Sequence, residues 1–178
     1  DELVIVIGTD DNPDDFARFI PSSHLVEDCS EIRSPVVGIA AGTSAITAGY
    51  SLILPCDSPF LRLRVLEHLF RSAIGHDAAI PLWPNGYLEP LHAVYRTQEA
   101  SKAAARCVSE MRMSVREMIA ELGDVHHVPV DCVRKYDPDL KTFFNVNTSD
   151  DLSEAEQIMR SKASEAKAFS EDMVAVNP

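Results

Sequence analysis

Residues 51–61, with the sequence SLILPCDSPFL, decide the fold and carry the most informative acidic residue of the chain. Their apolar run at residues 52–54 has no polar alternation, which predicts a strand buried on both faces of a parallel sheet. The run ends at a proline, and Ser58 followed by Pro59 predicts the start of a helix, with Ser58 as its N-cap. Asp57 is therefore expected at the point where a strand gives way to a helix.

A carboxylate in this position suggests a ligand site. In open α/β sheets, ligands bind at the carboxyl ends of the strands, where the chain passes from strand to helix. An aspartate there suits a hard divalent cation that is shared with substrate phosphates. The alternative is that Asp57 only caps the following helix, because aspartate is a common N-cap residue. Spacing alone leaves both interpretations open.

Composition and charge exclude several classes of function. The chain has 178 residues and a formal net charge of −12, which fits one globular domain and disfavours binding to a nucleic-acid backbone. No apolar run approaches the ~18 residues that span a bilayer, and the acidic start of the chain is unlike a signal peptide. The cysteines are far apart without a CxxC pair, which predicts reduced thiols in a cytoplasmic protein: Cys29, Cys56, Cys107 and Cys132.

The residues before this stretch predict two further strand ends with polar side chains. Residues 3–7, LVIVI, form a β-branched run that predicts a central parallel strand, and the polar loop 9–15 follows it. Residues 24–27, HLVE, predict a short strand, and Asp28 follows them. The acidic residues of these segments are either ligand-binding residues or ordinary turn and cap residues. Asp28 is a candidate site residue because it lies at a strand end.

Helical spacing and capping signals alternate with the predicted strands along the chain. This alternation predicts an α/β fold in one domain over residues 1–168, followed by a tail at 169–178. Strands are predicted at 78–82 and around the adjacent residues His126 and His127, whose side chains would point to opposite faces. Helices are predicted at residues 16–20, 34–48, 60–74, 97–109, 114–123 and 149–167.

Two later segments contribute polar candidates. Residues 87–96, YLEPLHAVYR, predict an extended run interrupted by a proline, which would leave Glu89 and His92 near one opening. A single histidine in such a run is more often a hydrogen-bonded structural residue than a catalytic one. Residues 143–147, FFNVN, predict the last strand, with Asn145 and Asn147 on the same face. These carboxamides either bind a polar ligand or satisfy backbone groups at the strand end.

The ordered segments LPCDSPFL, EPLHAVYR and FFNVNTSDDL resemble the molybdenum cofactor guanylyltransferases over nearly the whole chain from residue 3 to about residue 152. The resemblance implies a three-layer, Rossmann-like nucleotidyltransferase fold with a mostly parallel central sheet. It also implies transfer of GMP from GTP to molybdopterin, release of pyrophosphate and a requirement for Mg²⁺. The implied protein partners are other enzymes of molybdenum cofactor biosynthesis or the enzymes that accept the cofactor.

The resemblance also implies roles for individual residues. Asp57 matches the Mg²⁺-binding aspartate and is expected to be the catalytic residue, while Asp28 matches an aspartate that contacts the nucleotide. Thr9 stands where the family has a nucleotide-contacting asparagine, which is a departure from the pattern. Asn145 and Asn147 match an asparagine pair on the pterin side. The expected acceptor-binding set adds the two polar residues of the proline-interrupted run, Glu89 and His92.

A larger departure concerns the phosphate-binding loop. The family opens with a strand and a glycine-rich loop of the LAGG type, whereas this chain has only 7 glycines and no such loop. We expect the given chain to lack an N-terminal part of a longer protein that carries the loop. The alternatives are cytidylyl transfer, guanylyl transfer to another phosphorylated acceptor, or a non-catalytic module that binds the pterin or a partner. The sequence does not indicate an oligomeric state.

Overall fold

The computed structural model describes residues 2–17, 24–28 and 32–161, in which strands and helices alternate as expected for an α/β protein. The elements are β1 (Val4–Gly8), α1 (Pro13–Ala17), β2 (His24–Asp28), α2 (Pro35–Ser44), β3 (Tyr50–Ile53), α3 (Leu63–Ala73), β4 (Ala78–Leu82), β5 (Ala93–Arg96), α4 (Thr97–Ser109), α5 (Val115–Ala120), β6 (Val125–Pro129), α6 (Val130–Val133) and a 3₁₀ turn (Lys141–Phe143). A last helix, α7, begins at residue 149 and is described to residue 161.

The strands form two sheets. Strands β1 and β2 pair in parallel from Val4 opposite His24 to Gly8 opposite Asp28. The second sheet has the order β3-β5-β4-β6, in which β5 is antiparallel to both of its neighbours and β4 is parallel to β6. Strands β3, β4 and β6 therefore share one direction, and the predicted α/β fold with mostly parallel strands is confirmed.

The sequence predicted that β3 lies inside a parallel sheet, and this part of the prediction was wrong. This strand lies at an edge of the four-stranded sheet, and its hydrogen-bonded neighbour β5 runs antiparallel to it. Leu54, which was expected inside the strand, lies just past its end and is exposed. An unbroken apolar run of three residues does not distinguish a central strand from an edge strand that helices cover, because both need apolar faces.

Helices cover both faces of the four-stranded sheet, which gives the predicted three layers. On β4, Ala78 and Ile80 belong to one buried cluster and Ala79 belongs to the other, as strand alternation requires. Helices α2, α4 and α5 supply the first cluster, whereas α3 and α6 supply the second. Helix α2 also packs on β1 and β2, and it contacts α4 extensively, so it connects the two sheets.

Two helix starts confirm the capping signals in the sequence. The hydroxyl of Ser34 accepts a hydrogen bond from the backbone of Val36 at 3.2 Å, and a proline occupies the first turn of α2. Ser114 and Glu117 form the predicted capping box of α5. Helix α2 ends at Ser44, before the predicted residue 48, and α4 has the bounds that its sequence predicted.

Three predicted elements are absent or displaced in the part of the chain that the structure describes. Ser58 is not a helix cap, because α3 begins only at Leu63 and Arg62 occupies its N-cap position. The predicted strand at residues 143–147 is instead the end of a 3₁₀ turn followed by irregular backbone. Of the run 87–96, only Ala93–Arg96 is a strand, because the proline interrupts the ladder.

Several further predictions concern smaller features. The first helix is Pro13–Ala17, earlier than the predicted 16–20, of which residues 18–20 lie outside the described residues. Residues 162–178 also lie outside them, as does Cys29. The other cysteines, Cys56, Cys107 and Cys132, are free thiols. Within the described ranges, no helix is long and apolar enough to cross a membrane.

Candidate functional site

Asp57 lies in the turn that follows β3, as the sequence predicted. Its backbone carbonyl accepts a hydrogen bond from the backbone of Val146 at 2.9 Å, which joins this turn to the segment before α7. Its carboxylate atom Oδ1 is buried and has no hydrogen-bond partner. A buried carboxylate oxygen without a partner costs about 1–3 kcal/mol or more, so this atom is suited to a ligand that supplies positive charge.

The donor set around Asp57 fits a cation that is only partly held by protein. Among the described residues, no three or more His, Cys, Asp or Glu side chains come together in a way that could hold a metal ion. A divalent cation here would therefore take one or two oxygens from Asp57 and its other ligands from substrate phosphates and water. Mg²⁺ commonly binds in this way, because it keeps several waters and needs few carboxylates.

A buried hydrogen-bonded cluster lies beside Asp57. The Ser58 hydroxyl donates to Oδ1 of Asn145 at 2.6 Å and lies 2.9 Å from Nε2 of His92. His92 is 1% exposed and Ser58 is 8% exposed, so both are shielded from solvent. Three segments that are distant in the sequence meet here: the turn after β3, the residues before β5 and the residues after the 3₁₀ turn.

Glu89 extends this cluster towards Trp83. Its Oε1 accepts a hydrogen bond from the indole nitrogen of Trp83 at 2.7 Å, and its Oε2 is 3.9 Å from Nδ1 of His92. Phe143 packs edge-on against both rings, with centroid distances of 5.9 Å to Trp83 and 5.5 Å to His92. The proline-interrupted run therefore does place Glu89 and His92 together, beside the residues that precede α7.

Burial controls the protonation of the two titratable groups in this cluster. It lowers the pKa of His92 from its ordinary value, and the nearby Asp57 carboxylate opposes this shift only in part. Burial also raises the pKa of Glu89, against the effect of the hydrogen bond from Trp83. His92 is consequently held in its neutral form near pH 7.

The second pair of predicted site residues lines a separate cavity of about 400 Å³. Thr9 and Asp28 come together there because β1 and β2 are parallel neighbours, and Gly8 is opposite Asp28 in the ladder. The other lining residues are Asp10, Asp11, Arg33 and Ser34. Among the described residues, no hydrogen bond or ion pair joins this cavity to the cluster around Asp57.

The charges of the cavity indicate which part of a ligand it suits. Arg33 is paired with Asp10 at 2.7 Å, and the backbone N–H of Gly8 donates to Asp11 at 2.8 Å. Asp10 and Asp11 are thus each paired with another residue that lines the cavity. Asp28 adds a further carboxylate, which only accepts hydrogen bonds when ionised. The cavity suits the N–H and O–H groups of a base or a ribose better than it suits phosphates.

Asn147 lies at the start of α7 and has a different environment from Asn145. Its backbone N–H donates to Asp151 at 3.0 Å, and Thr148 and Asp151 cap the helix through reciprocal hydrogen bonds. Asn147 is exposed, whereas Asn145 is half-buried. The expected common strand face is wrong, because residues 144–147 are irregular. No hydrogen bond of the Asn147 carboxamide is found in the described part of the chain.

The predicted site residues thus form two groups. Asp57, Glu89, His92 and the asparagine segment lie together at the end of β3, while Thr9 and Asp28 line the cavity at the ends of β1 and β2. The sequence interpretation missed Ser58 and Arg33. Ser58 followed by Pro59 predicts a helix cap, although the apolar helix stripe, which begins at Leu63, indicates that the helix starts later. Arg33 could have been found as the cation that directly precedes the Ser34-Pro35 helix start.

The chain matches known proteins over most of its length. The family model of the MobA-like NTP transferase domain matches residues 1–125. A probable molybdenum cofactor guanylyltransferase from Methanosarcina mazei is 39% identical over 128 residues, which are 70% of this chain and 55% of that protein. A molybdenum cofactor guanylyltransferase from Desulfosudis oleivorans is 31% identical over 161 residues, which are 90% of this chain and 76% of that protein.

A solved structure extends these matches to three dimensions. The crystal structure of molybdopterin-guanine dinucleotide biosynthesis protein A from Archaeoglobus fulgidus superposes with a TM-score of 0.76 and 29% identity. The superposition covers 89% of this chain and 78% of the other. The chain spans about 55% to 60% of the length of several of the curated relatives that it matches. On the family model and on the shared fold, the chain belongs to the MobA-like NTP transferase domain family.

Proposed function

We propose that this chain carries the catalytic part of a molybdenum cofactor guanylyltransferase, which transfers GMP from GTP to molybdopterin and releases pyrophosphate. Family membership supports nucleotidyl transfer, and the names of the relatives in Methanosarcina mazei and Desulfosudis oleivorans support guanylyl transfer to the molybdenum cofactor. The observation that carries the proposal is the buried, unpaired Oδ1 atom of Asp57 at the carboxyl end of β3.

Asp57 would hold Mg²⁺ at this position. When bound, the cation neutralises charge on the phosphates and orients them for displacement. A protein with a net charge of −12 attracts no phosphates through its overall field, so this neutralisation must be local. The buried carboxylate oxygen is matched to the task because its desolvation is offset only when a cation is present.

The reaction requires the attacking oxygen of molybdopterin, the α-phosphorus of GTP and the leaving oxygen of pyrophosphate to lie in line. A terminal phosphate oxygen of molybdopterin attacks the α-phosphorus of GTP, a new P–O bond forms, and the bond to the β-phosphate oxygen breaks as pyrophosphate leaves. The chain contributes position and charge rather than a covalent intermediate. In this proposal the reacting phosphates meet beside Asp57, whose turn is hydrogen-bonded to the segment that contains both asparagines.

The cavity at β1 and β2 would bind the nucleoside. Asp28 accepts hydrogen bonds from donor groups, and guanine presents neighbouring N–H donors on one edge, whereas the corresponding edge of cytosine is mainly an acceptor. Thr9 lies in the same cavity and can supply a hydroxyl in place of the family's asparagine. This donor preference favours GTP over CTP.

The acceptor would bind on the side of the asparagines. Asn145 and Asn147 supply hydrogen bonds without charge, which suits the polar edge of a pterin or its phosphate. Glu89 and His92 lie behind this face, and neither is placed to contact a ligand directly because both are largely buried. Their predicted role in acceptor binding stays a prediction.

The proposal is tested by pyrophosphate release from the full chain in the presence of Mg²⁺ and molybdopterin, with GTP and CTP compared as donors. We expect release with GTP that depends on molybdopterin and is lost when EDTA removes the metal. Faster release with CTP would replace guanylyl by cytidylyl transfer. Binding of molybdopterin without release from either nucleotide would indicate a non-catalytic module and would contradict the proposal.

A further inference from the structure

The hydrogen bonds around Ser58 have a defined direction. A serine hydroxyl has a single hydrogen, and here it is donated to Oδ1 of Asn145 at 2.6 Å. The Ser58 oxygen must therefore act as the acceptor in its 2.9 Å contact with Nε2 of His92. It follows that His92 carries its hydrogen on Nε2.

The surroundings of His92 permit this tautomer, because the nearest Glu89 oxygen lies beyond hydrogen-bond distance of Nδ1, at 3.9 Å. The neutral imidazole has one N–H, so Nδ1 is left without a hydrogen on the side that faces Glu89 at 3.9 Å. Burial favours the uncharged forms of both side chains. Glu89 already accepts a hydrogen bond from Trp83 at 2.7 Å, so it does not need a donor from His92.

The consequence concerns the carboxamide of Asn145. Its oxygen is occupied by Ser58, which leaves the amino group Nδ2 with two hydrogens to donate. No hydrogen bond of this amino group is found within residues 2–17, 24–28 and 32–161. Asn145 is half-buried, and the neighbouring Val146 is bonded to the turn that contains Asp57. The free amino group is thus close to the place where phosphates would meet a cation.

We propose that Ser58 and His92 are positioning residues that fix the Asn145 carboxamide with its amino group, and not its oxygen, towards the acceptor substrate. This inference rests on the proposed function. The amino group donates to a phosphate oxygen of the acceptor beside Asp57. His92 takes part only through Ser58, and Ser58 only through Asn145.

The orientation of Asn145 is tested by comparing Asn145→Asp with Asn145→Ala. If the amino group faces a phosphate, aspartate places a negatively charged oxygen against it, and the KM for molybdopterin should rise at least about tenfold more than with alanine. If instead the oxygen of Asn145 faces a donor on the pterin ring, aspartate should retain most of the binding that alanine loses. This second outcome would overturn the orientation.

The role of Ser58 is tested by Ser58→Ala, with Ser58→Thr as the matched variant that keeps the hydroxyl. Ser58→Ala should raise the KM for molybdopterin about tenfold, the usual worth of one hydrogen bond, and leave the KM for GTP within about twofold. Ser58→Thr should restore the wild-type value to within about threefold. In the Asn145→Ala background, Ser58→Ala should have no further effect. An equal penalty in both backgrounds would show that Ser58 does not act through Asn145.

A readout that needs no turnover separates this inference from the proposed function. The side-chain amide signals of Asn145, identified by their loss in Asn145→Ala, should have chemical shifts that differ from those of a freely mobile asparagine in the ¹⁵N-labelled full chain and in Ser58→Thr. In Ser58→Ala and His92→Leu their chemical shifts should move to those of a freely mobile asparagine. Equal chemical shifts of this pair in all these proteins would refute the positioning role whether or not GMP is transferred. Ordered signals without any GMP transfer would refute the proposed function and the acceptor-facing part of this inference, leaving only the hydrogen-bonded orientation.

Discussion

Asp57 combines a cost in stability with a proposed role in metal binding. Its unpaired buried oxygen destabilises the fold when no cation is present, so Asp57→Asn should raise the free energy of unfolding by about 1 kcal/mol in EDTA. In a domain of this size that corresponds to a rise of roughly 2–4 °C in melting temperature. The same variant should lose any stabilisation that Mg²⁺ gives to the wild type. Thermal unfolding with and without Mg²⁺ measures both effects.

Asp131→Asn is the matched control for this experiment. Asp131 lies in α6, is 70% exposed and pairs with Arg134 at 3.3 Å, so neutralising it should change neither the stability in EDTA nor the response to Mg²⁺ by much. Equal Mg²⁺ stabilisation in Asp57→Asn and in the wild type would rule out Asp57 as a ligand.

Asn147 is expected to bind the acceptor and not the nucleotide. Its carboxamide is exposed and makes no hydrogen bond within the described residues, so it is available to a ligand. Asn147→Ala should weaken molybdopterin binding by about 1–3 kcal/mol if it leaves a polar group of the ligand unsatisfied. Binding of GTP should hardly change. Titrations with each substrate decide the point: loss of GTP binding with intact pterin binding would mean that the two sides of the site are reversed.

His92 should make the stability of the protein depend on pH. Because burial lowers its pKa below the ordinary value of 6.5, the unfolded chain binds a proton at this residue before the folded chain does. The free energy of unfolding should therefore fall as the pH drops below about 6.5, by up to about 1.4 kcal/mol per pH unit. Glu89, whose pKa is raised, contributes with the opposite sign between its ordinary value of 4.5 and its raised value.

The variant His92→Gln isolates this contribution, because it removes the titrating group and keeps a side-chain N–H donor. Urea unfolding at pH 7.5 and pH 5.5 should show a smaller loss of stability on acidification in this variant than in the wild type. His127 on β6 is exposed, and His127→Gln should behave like the wild type. The same loss in His92→Gln and the wild type would mean that folding does not lower the pKa of His92.

At the residue scale, the sequence predicted positions better than contacts. Asp57 and Asp28 were found because they follow apolar runs, and the structure places both just past or at the ends of strands. The bond between Ser58 and Asn145 could not be predicted, because it joins residues 87 positions apart through an irregular segment. Ser58 followed by proline is also a good local helix start, and tertiary contacts overrode that local preference.

At the scale of elements, the two sheets should differ in local stability. Strands β4 and β5 are almost fully buried between two layers of helices, whereas β1 and β2 form a two-stranded sheet that is only half-buried. Two-stranded sheets are marginal without further packing. The amides of β1 should therefore exchange with solvent from openings that cost several kcal/mol less than those of β4.

Hydrogen exchange followed by mass spectrometry of peptides measures this difference. The β4 peptide is the internal reference, since both strands are five residues long and each has a parallel partner. Equal protection of the two strands in the free protein would contradict the expected ranking. Such a result would mean that the half-buried side chains of β1 underestimate how strongly this strand is stabilised.

Elements with strong local signals were predicted well, and elements defined by pairing were not. Helix α4 and strand β4 have the bounds that their sequences predicted, because an alanine-rich helical pattern and a fully apolar strand leave few alternatives. The segment FFNVN has strand-like composition, yet it pairs with no strand in the described part of the chain. Strand propensity cannot supply a missing hydrogen-bonding partner.

At the scale of the whole molecule, both the net charge and the fold require that local groups neutralise the charge of bound phosphates. The proposed function requires a chain with a net charge of −12 to bring GTP and a phosphorylated acceptor together, and with them several further negative charges. Its candidate nucleoside cavity is itself acidic, with Arg33 already paired to Asp10. Phosphate binding therefore depends on groups at the strand ends, and the proposed Mg²⁺ at Asp57 is the central one.

The most direct test of guanylyl transfer is to supply GTP that carries ³³P at the α-phosphate and to measure which product contains the label. The proposed function predicts that the label appears in a molybdopterin–guanine dinucleotide, only with molybdopterin and Mg²⁺ present, and that Asp57→Asn lowers this transfer by about 10²-fold or more while Asp131→Asn leaves it unchanged. Label that remains in GTP or appears as free GMP, or transfer that persists in Asp57→Asn, would contradict guanylyl transfer at this site.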